Sequence, residues 1–159
     1  MKIEEIINYL QRLSDAKFVL MENLLKITGE QHRALEKEDW EVMDNLIQQK
    51  QKIMDKIDLL DKEFIEKYDI LKKDLGIKEL QEIDPEKLPG VEELKKKINR
   101  ILEVVKKIQE LDQENTQKIK KNITKAKENL KTIKTGRKAF EGYNSSYRET
   151  YSIFFDKKK

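Results

Sequence analysis

Apolar side chains recur along this chain every three or four residues, and the first run of them begins at Ile3. Ile3, Ile6, Leu10, Leu13, Leu20, Leu24, Ile27 and Ala34 stand on a 3-4 repeat in which Lys17 and Gln31 are polar lapses. A second row beside it, Ile7, Phe18, Met21, Leu25 and Leu35, widens the stripe into a face suited to two neighbours rather than one. The spacing predicts a helix over about residues 3–37. Gly29 lies inside it at a cost of roughly 1 kcal/mol relative to Ala, so fraying or a bend is expected there.

Residues 36–39, Glu36-Lys37-Glu38-Asp39, contain neither Gly nor Pro. A single helix from residue 3 to 75 would nevertheless be about 110 Å long, so a reversal is expected here, with Asp39 as the N-cap of the next helix. That helix, about 39–75, carries the seam Trp40, Met43, Leu46, Ile47, Ile53, Met54, Ile57, Leu60, Phe64, Tyr68, Leu71 and Leu75, interrupted by Lys50. Gly76 is a natural stop because it takes positive φ without a Cβ clash. Residues 76–90 form a connection: Ile77–Ile83 is compatible with a short helical turn, and Asp84-Pro85 and Pro89-Gly90 prevent continuation.

A third helix is expected over about 91–135. Val91, Leu94, Ile98, Ile101, Val105 and Ile108 form an unbroken seam, after which Asp112 and Asn115 take the next two positions. The apolar row resumes at Ile119 and continues in shifted phase through Ile123, Ala126, Leu130 and Ile133, which turns the stripe to another side. The helix thus divides into a half that fits a bundle and a half that faces elsewhere. The last segment, 136–159, spaces Phe140, Tyr143, Tyr147, Tyr151 and Phe154 helically, yet Gly136, Gly142 and Asn144-Ser145-Ser146 oppose helix in isolation. It reads as a tail that orders on contact with a partner.

Composition narrows this picture. Hydrophobic residues are 37% and charged residues 41% of the chain, against usual values near ~45–50% and ~25%. That suits long helices sharing a thin seam rather than a thick core. The net charge of +3 hides an asymmetry. Residues 118–138 hold nine Lys or Arg against Glu128 alone, a net of +8, which leaves the rest of the chain at −5. A basic segment on an acidic body attracts an anionic partner or folds back on that body. The N-terminus has acidic residues in its first turns and no apolar run of a signal peptide, and no window reaches the ~20 apolar residues of a membrane span. With no cysteine, neither a disulfide framework nor a thiolate metal site is expected. The chain reads as soluble and cytoplasmic.

No enzyme signature is present: there is no Gly-rich phosphate loop and no nucleophile–base arrangement. His32, the only histidine, reads as a seam or edge residue despite Glu36 one turn on, and the Glu-x-x-His pairs of a di-iron bundle are missing. No cofactor is expected. Nucleic-acid binding through Lys118–Lys138 is a weaker reading, since the pI of 8.8 lies under the ~9 typical of such domains and no aromatic residues interleave the lysines. A membrane surface is disfavoured by the absence of Trp and Phe from 118–139. The bland alternative is that the second stripe completes the bundle and its lysines form a solvated face.

Certain stretches resemble a known family. ALEKEDWEVMDNLIQQKQKIMDKIDLLDKE is similar to the second-helix signature of the FlgN-type flagellar export chaperones: Asp39 opens the helix, Leu46-Ile47 and Lys50-Gln51 follow, then a further apolar repeat. IQELDQENTQKIKKNITKAKENLKTI resembles that family's Leu-x-x-x-Asn segment, here Leu111 and Asn115, and AFEGYNSSY and FFDKKK look like family tails. The resemblance spans nearly the whole chain. It implies a small cytosolic chaperone, not an enzyme, that binds the C-terminal helical segments of the hook-associated proteins FlgK and FlgL and delivers them to the export gate. Carried over, the client-binding residues are Ile119, Ile123, Ala126, Leu130 and Ile133, and the gate-docking residue is Tyr143 by position, with Phe140 as the alternative ring.

The expected architecture is therefore all-α: an elongated three-helix bundle or antiparallel coiled-coil hairpins in a single domain, 1–135, followed by a partly ordered basic, aromatic tail, 136–159. Two readings from other classes stand beside the chaperone. One is a structural coiled coil that self-associates as a homodimer, and the other is the nucleic-acid binder.

Overall fold

A computed structural model describes residues 2–127 of the chain. They form α1 (Ile3–Glu36), α2 (Trp40–Leu75) and α3 (Val91–Ala126), with a 3₁₀ turn at Leu80–Glu82 between the last two. The all-α expectation holds, and the helix limits agree with the periodicity to within a residue or two wherever both are defined. The expected continuation of the third helix to 135 and the tail 136–159 lie outside the described residues. α1 runs unbroken through Gly29, so the fraying expected there does not end the helix.

The wide face of α1 explains the arrangement. α1 packs closely along both α2 and α3, and residues of its wide apolar face enter every core cluster. Lys17 meets Asp61 and Gln31 meets Lys50, so α2 runs antiparallel to α1. Asp15 meets Lys97 and His32 meets Asn115, so α3 runs parallel to it. One core cluster, at the end where α1 and α3 begin, joins Ile6, Ile7, Leu10 and Leu13 with Leu71, Leu80, Ile83, Val91 and Leu94. A central cluster joins Met21 and Leu24 with Met54, Ile57, Ile101, Val104, Val105 and Ile108. The far end, near the α1–α2 turn, is thinner: Leu35, Met43 and Ile119, beside Ile27, Ala34 and Leu46.

The α1–α2 reversal is built without glycine. The Asp39 N–H donates to the Ala34 carbonyl and the Glu38 N–H to the Leu35 carbonyl, at 3.0 and 3.2 Å, the paired bonds of a helix C-cap that places the residue between in the left-handed region. Glu38 occupies that position at φ 54°. Asp39 then caps α2, its Oδ1 accepting from the Val42 N–H at 3.2 Å, as the sequence predicts. A non-Gly residue in this region costs about 1–2 kcal/mol, partly offset by the chain entropy that Gly would lose. Glu38→Gly is therefore expected to raise stability by about 0.5–1 kcal/mol, read as a higher thermal midpoint.

The 76–90 connection is a packed cap on the proximal end rather than a loose loop. The Glu82 carboxylate accepts from the N–H groups of Lys78 and Glu79 at 2.6 and 2.8 Å, and the Tyr68 hydroxyl accepts from the Leu80 N–H at 2.9 Å. Gly90 closes it. At φ 88° it passes so near α1 that a Cβ would stand 2.8 Å from Gln11 Nε2 and 3.0 Å from Ile7 Cγ2, and Gln11 Nε2 donates to its carbonyl at 3.0 Å. The start of α3 is thereby pinned to the start of α1.

Candidate functional site

The polar lapses in the three apolar seams meet one another. Lys50, the interruption in α2, lies between Gln31 of α1 and Asp112 of α3, its Nζ 3.1 Å from Gln31 Oε1 and 2.9 Å from Asp112 Oδ1. All three are buried. One turn further along α3, Asn115 is fully buried: its Nδ2 donates to the Thr28 carbonyl at 3.2 Å. This leaves Asn115 Oδ1 to accept from His32 Nδ1 at 2.9 Å. His32 Nε2 faces Glu36 at 3.2 Å, and Lys118 approaches the same carboxylate at 3.8 Å. His32 is thus an edge residue, as expected, and it links α1 to α3.

A second buried pair, Lys17–Asp61 at 2.5 Å, stands toward the proximal end, on the floor of a cavity of about 160 Å³ also lined by Phe64, Tyr68, Ile98 and Ile101. Burial shifts all four charged groups toward their neutral forms against the pull of their partners. It brings Lys17 down to about 8 and Asp112 up to about 6, and it lowers Lys50 and raises Asp61. Such pairs specify which residues face each other more than they add stability. Asp61 is the member that periodicity misses. It occupies the seam slot between Ile57 and Phe64, where the neighbouring Leu60 reads as the more natural seam residue. The lysine at the matching slot of the antiparallel α1 is the signal that points to it.

Beyond the Gln31–Lys50–Asp112 layer lies the distal tip, and here the structure revises the picture of α3. Asp112 and Asn115 do not mark a departure from the bundle, being 4% and 0% exposed. The seam merely turns polar. Ile119 continues it in the same phase, fully buried against Leu35 and Met43 with Trp40, Ile47 and Ile123 packed around them. The change of phase therefore falls after Ile119. Of the residues singled out for client binding, Ile119 stands in the core, Ile123 is half-buried, and Ala126 is the last residue of α3. Leu130, Ile133, Phe140 and Tyr143 lie outside the described residues.

The distal part of α3 is held lightly. From residue 113 to 125 its only buried side chains are Asn115 and Ile119. Full burial of an isoleucine contributes about 1.5–3 kcal/mol. The proximal half of the same helix, by contrast, buries Val91, Leu94, Ile101, Val104, Val105 and Ile108. The surface beneath Ile119 belongs to the α1–α2 hairpin. Leu35 and Met43 are buried there with Trp40 and Ile47 packed against them, and the exposed charged residues of the turn are Glu36, Glu38, Asp39, Glu41 and Asp44 against Arg33 and Lys37. An apolar seat beside a mainly acidic turn, filled by a basic helix, is chemically a helix-binding site. Among the described residues no group of three or more His, Cys, Asp or Glu is placed to hold a metal, and no helix is long and apolar enough to cross a membrane.

Residues 1–150 match the model of a protein family described as FlgN protein. No curated protein matches the chain. No solved structure matches it either.

Proposed function

The chain belongs to the FlgN family of flagellar export chaperones, and on that footing we propose that it works in the cytoplasm on hook-associated proteins of the FlgK and FlgL type. It binds their C-terminal helical segments, prevents premature assembly and delivers them to the export gate. The family match over 1–150 is the observation that carries this reading. The apolar row Ile119, Ile123, Ala126, Leu130 and Ile133 forms the client face, and Tyr143, with Phe140 beside it, contacts the gate. The chain acts as one helical domain, 1–135, with 136–159 as an adaptable tail. The mechanism is helix-in-groove recognition: an amphipathic client helix completes a seam that the chaperone leaves incomplete.

The geometry is compatible with this division of labour. The proximal and central clusters use α3 as scaffold, whereas after Ile119 the next apolar residue of the row, Ile123, is only half-buried at the edge of the distal cluster, among Lys120, Lys121, Lys125 and Lys127 in the sequence. The double variant Leu130→Asp/Ile133→Asp is expected to keep the helical circular dichroism of the parent and to lose co-purification with FlgK-like or FlgL-like C-terminal peptides. A folded variant that still binds them would place the client face elsewhere.

A further inference from the structure

We infer that the distal part of α3, residues 113–126, is a displaceable strap, and that the client helix takes the place of Ile119 and Ile123 on the Leu35–Met43–Trp40–Ile47 seat. This rests on the reading of the chain as a chaperone for helical segments. Three observations carry it. The side chain at the head of the client row, Ile119, is fully buried at rest, so it is unavailable to a client until α3 moves. The residues of the seat come from α1 and α2, which are joined by a tight capped turn independent of α3. The strap is also set apart from the rest of its helix by the Gln31–Lys50–Asp112 layer. It is held beyond that layer by the Asn115 amide, the long Lys118–Glu36 contact and Ile119.

The present occupant defines the chemistry of its competitor. Ile119 and Ile123 are four residues apart on a helix flanked by Lys118, Lys120 and Lys121. Beside the seat Lys118 approaches Glu36 at 3.8 Å, and the exposed charged residues of the adjoining turn are Glu36, Glu38, Asp39, Glu41 and Asp44 against Arg33 and Lys37. A client segment that replaces the two isoleucines is an amphipathic helix with aliphatic residues at 3-4 spacing and lysine or arginine beside them. Once displaced, the strap leaves Ile119 and Ile123 exposed beside the incoming helix, its backbone no longer held by the bundle. A client must then overcome the closed state before it binds, which lowers apparent affinity by the fraction of open chaperone and excludes weakly matching helices.

Hydrogen exchange on the full-length chain, with and without a C-terminal FlgK-like peptide, tests this directly. Displacement is expected to raise exchange of amides 113–126 while leaving 91–111 protected. Increased protection of 113–126 would mean that the client packs on top of α3, and unchanged exchange there would mean that it binds elsewhere. Either result overturns the strap. A second measurement uses the absence of cysteine: His32→Cys/Asn115→Cys puts thiols at positions whose side chains touch at 2.9 Å, and a short reducible bis-methanethiosulfonate reagent joins α3 to α1 there without altering the four seat residues. The cross-linked protein, confirmed by mass, is expected to lose peptide binding about tenfold or more and to regain it on reduction. Equal binding in the cross-linked and reduced states overturns the strap alone, whereas a wild-type chain that binds no client peptide overturns the proposed function itself.

Discussion

Asp112→Ala is expected to lower the free energy of unfolding by about 3–5 kcal/mol, because it leaves the Lys50 ammonium buried without its counter-charge. Lys50 is 3% exposed, and its partners in the layer include Gln31 and Asp112. Of these, only the carboxylate offsets the charge. At roughly 2–4 °C per kcal/mol for a chain of this size, the midpoint of thermal unfolding falls by about 6–20 °C. The complementary triple variant Gln31→Leu/Lys50→Met/Asp112→Leu is expected to be neutral or more stable by about 1–4 kcal/mol, as found when buried ion pairs are replaced by apolar residues of similar volume. What it loses is the constraint on which residues face each other, seen as concentration-dependent association in sedimentation. A triple variant markedly less stable than the parent would show that the layer holds the bundle together rather than sets its alignment.

Ile57→Ala is the second large effect expected. Ile57 is fully buried in the central cluster where all three helices meet, and the cluster's Met21, Leu24, Ile101 and Val105 lie between the proximal cluster and the Gln31–Lys50–Asp112 layer, which hold the helices on either side. The site therefore collapses little around the missing atoms. The loss is about 2–5 kcal/mol, measured as a lower denaturant midpoint at unchanged slope. Ile119→Ala removes a side chain of equal burial from the thin distal cluster, where the helices close over the gap more easily, so its cost belongs at the low end of that range. Equal losses at the two positions would mean that the distal tip is as firmly built as the centre.

Most of the fold is legible in the spacing of apolar residues, because each long helix needs only one stripe to declare it. The width of the α1 face gives its two neighbours, and Asp39, Gly76 and the two prolines mark the reversals through local chemistry. The polar lapses are legible as positions but not as partners. That Lys50 meets Asp112 depends on how α3 slides along α1, which the pinning of Gly90 against Ile7 and Gln11 fixes and which no single stripe reveals. The same limit explains the distal half of α3. Asp112 and Asn115 look like a break when α3 is read alone, and they become core residues only when Lys50, Thr28 and His32 arrive from other helices. Glu38 is illegible for a different reason, since its left-handed backbone is imposed by the cap around it and not by its own preference.

α1 touches both other helices and is the first to be synthesised. Its contacts with α2 close across the short turn at 37–39 and cost little chain entropy, whereas a contact such as His32–Asn115 must close a loop of 83 residues. On the ribosome the hairpin therefore assembles first, and the seam of α1 that faces α3 stays bare until Val91 and the residues after it emerge. Among residues 91–125 Ile119 is the last buried residue of α3 to appear, so every newborn chain passes through an interval in which the acidic tip is formed and open. A client helix present during that interval meets no competitor.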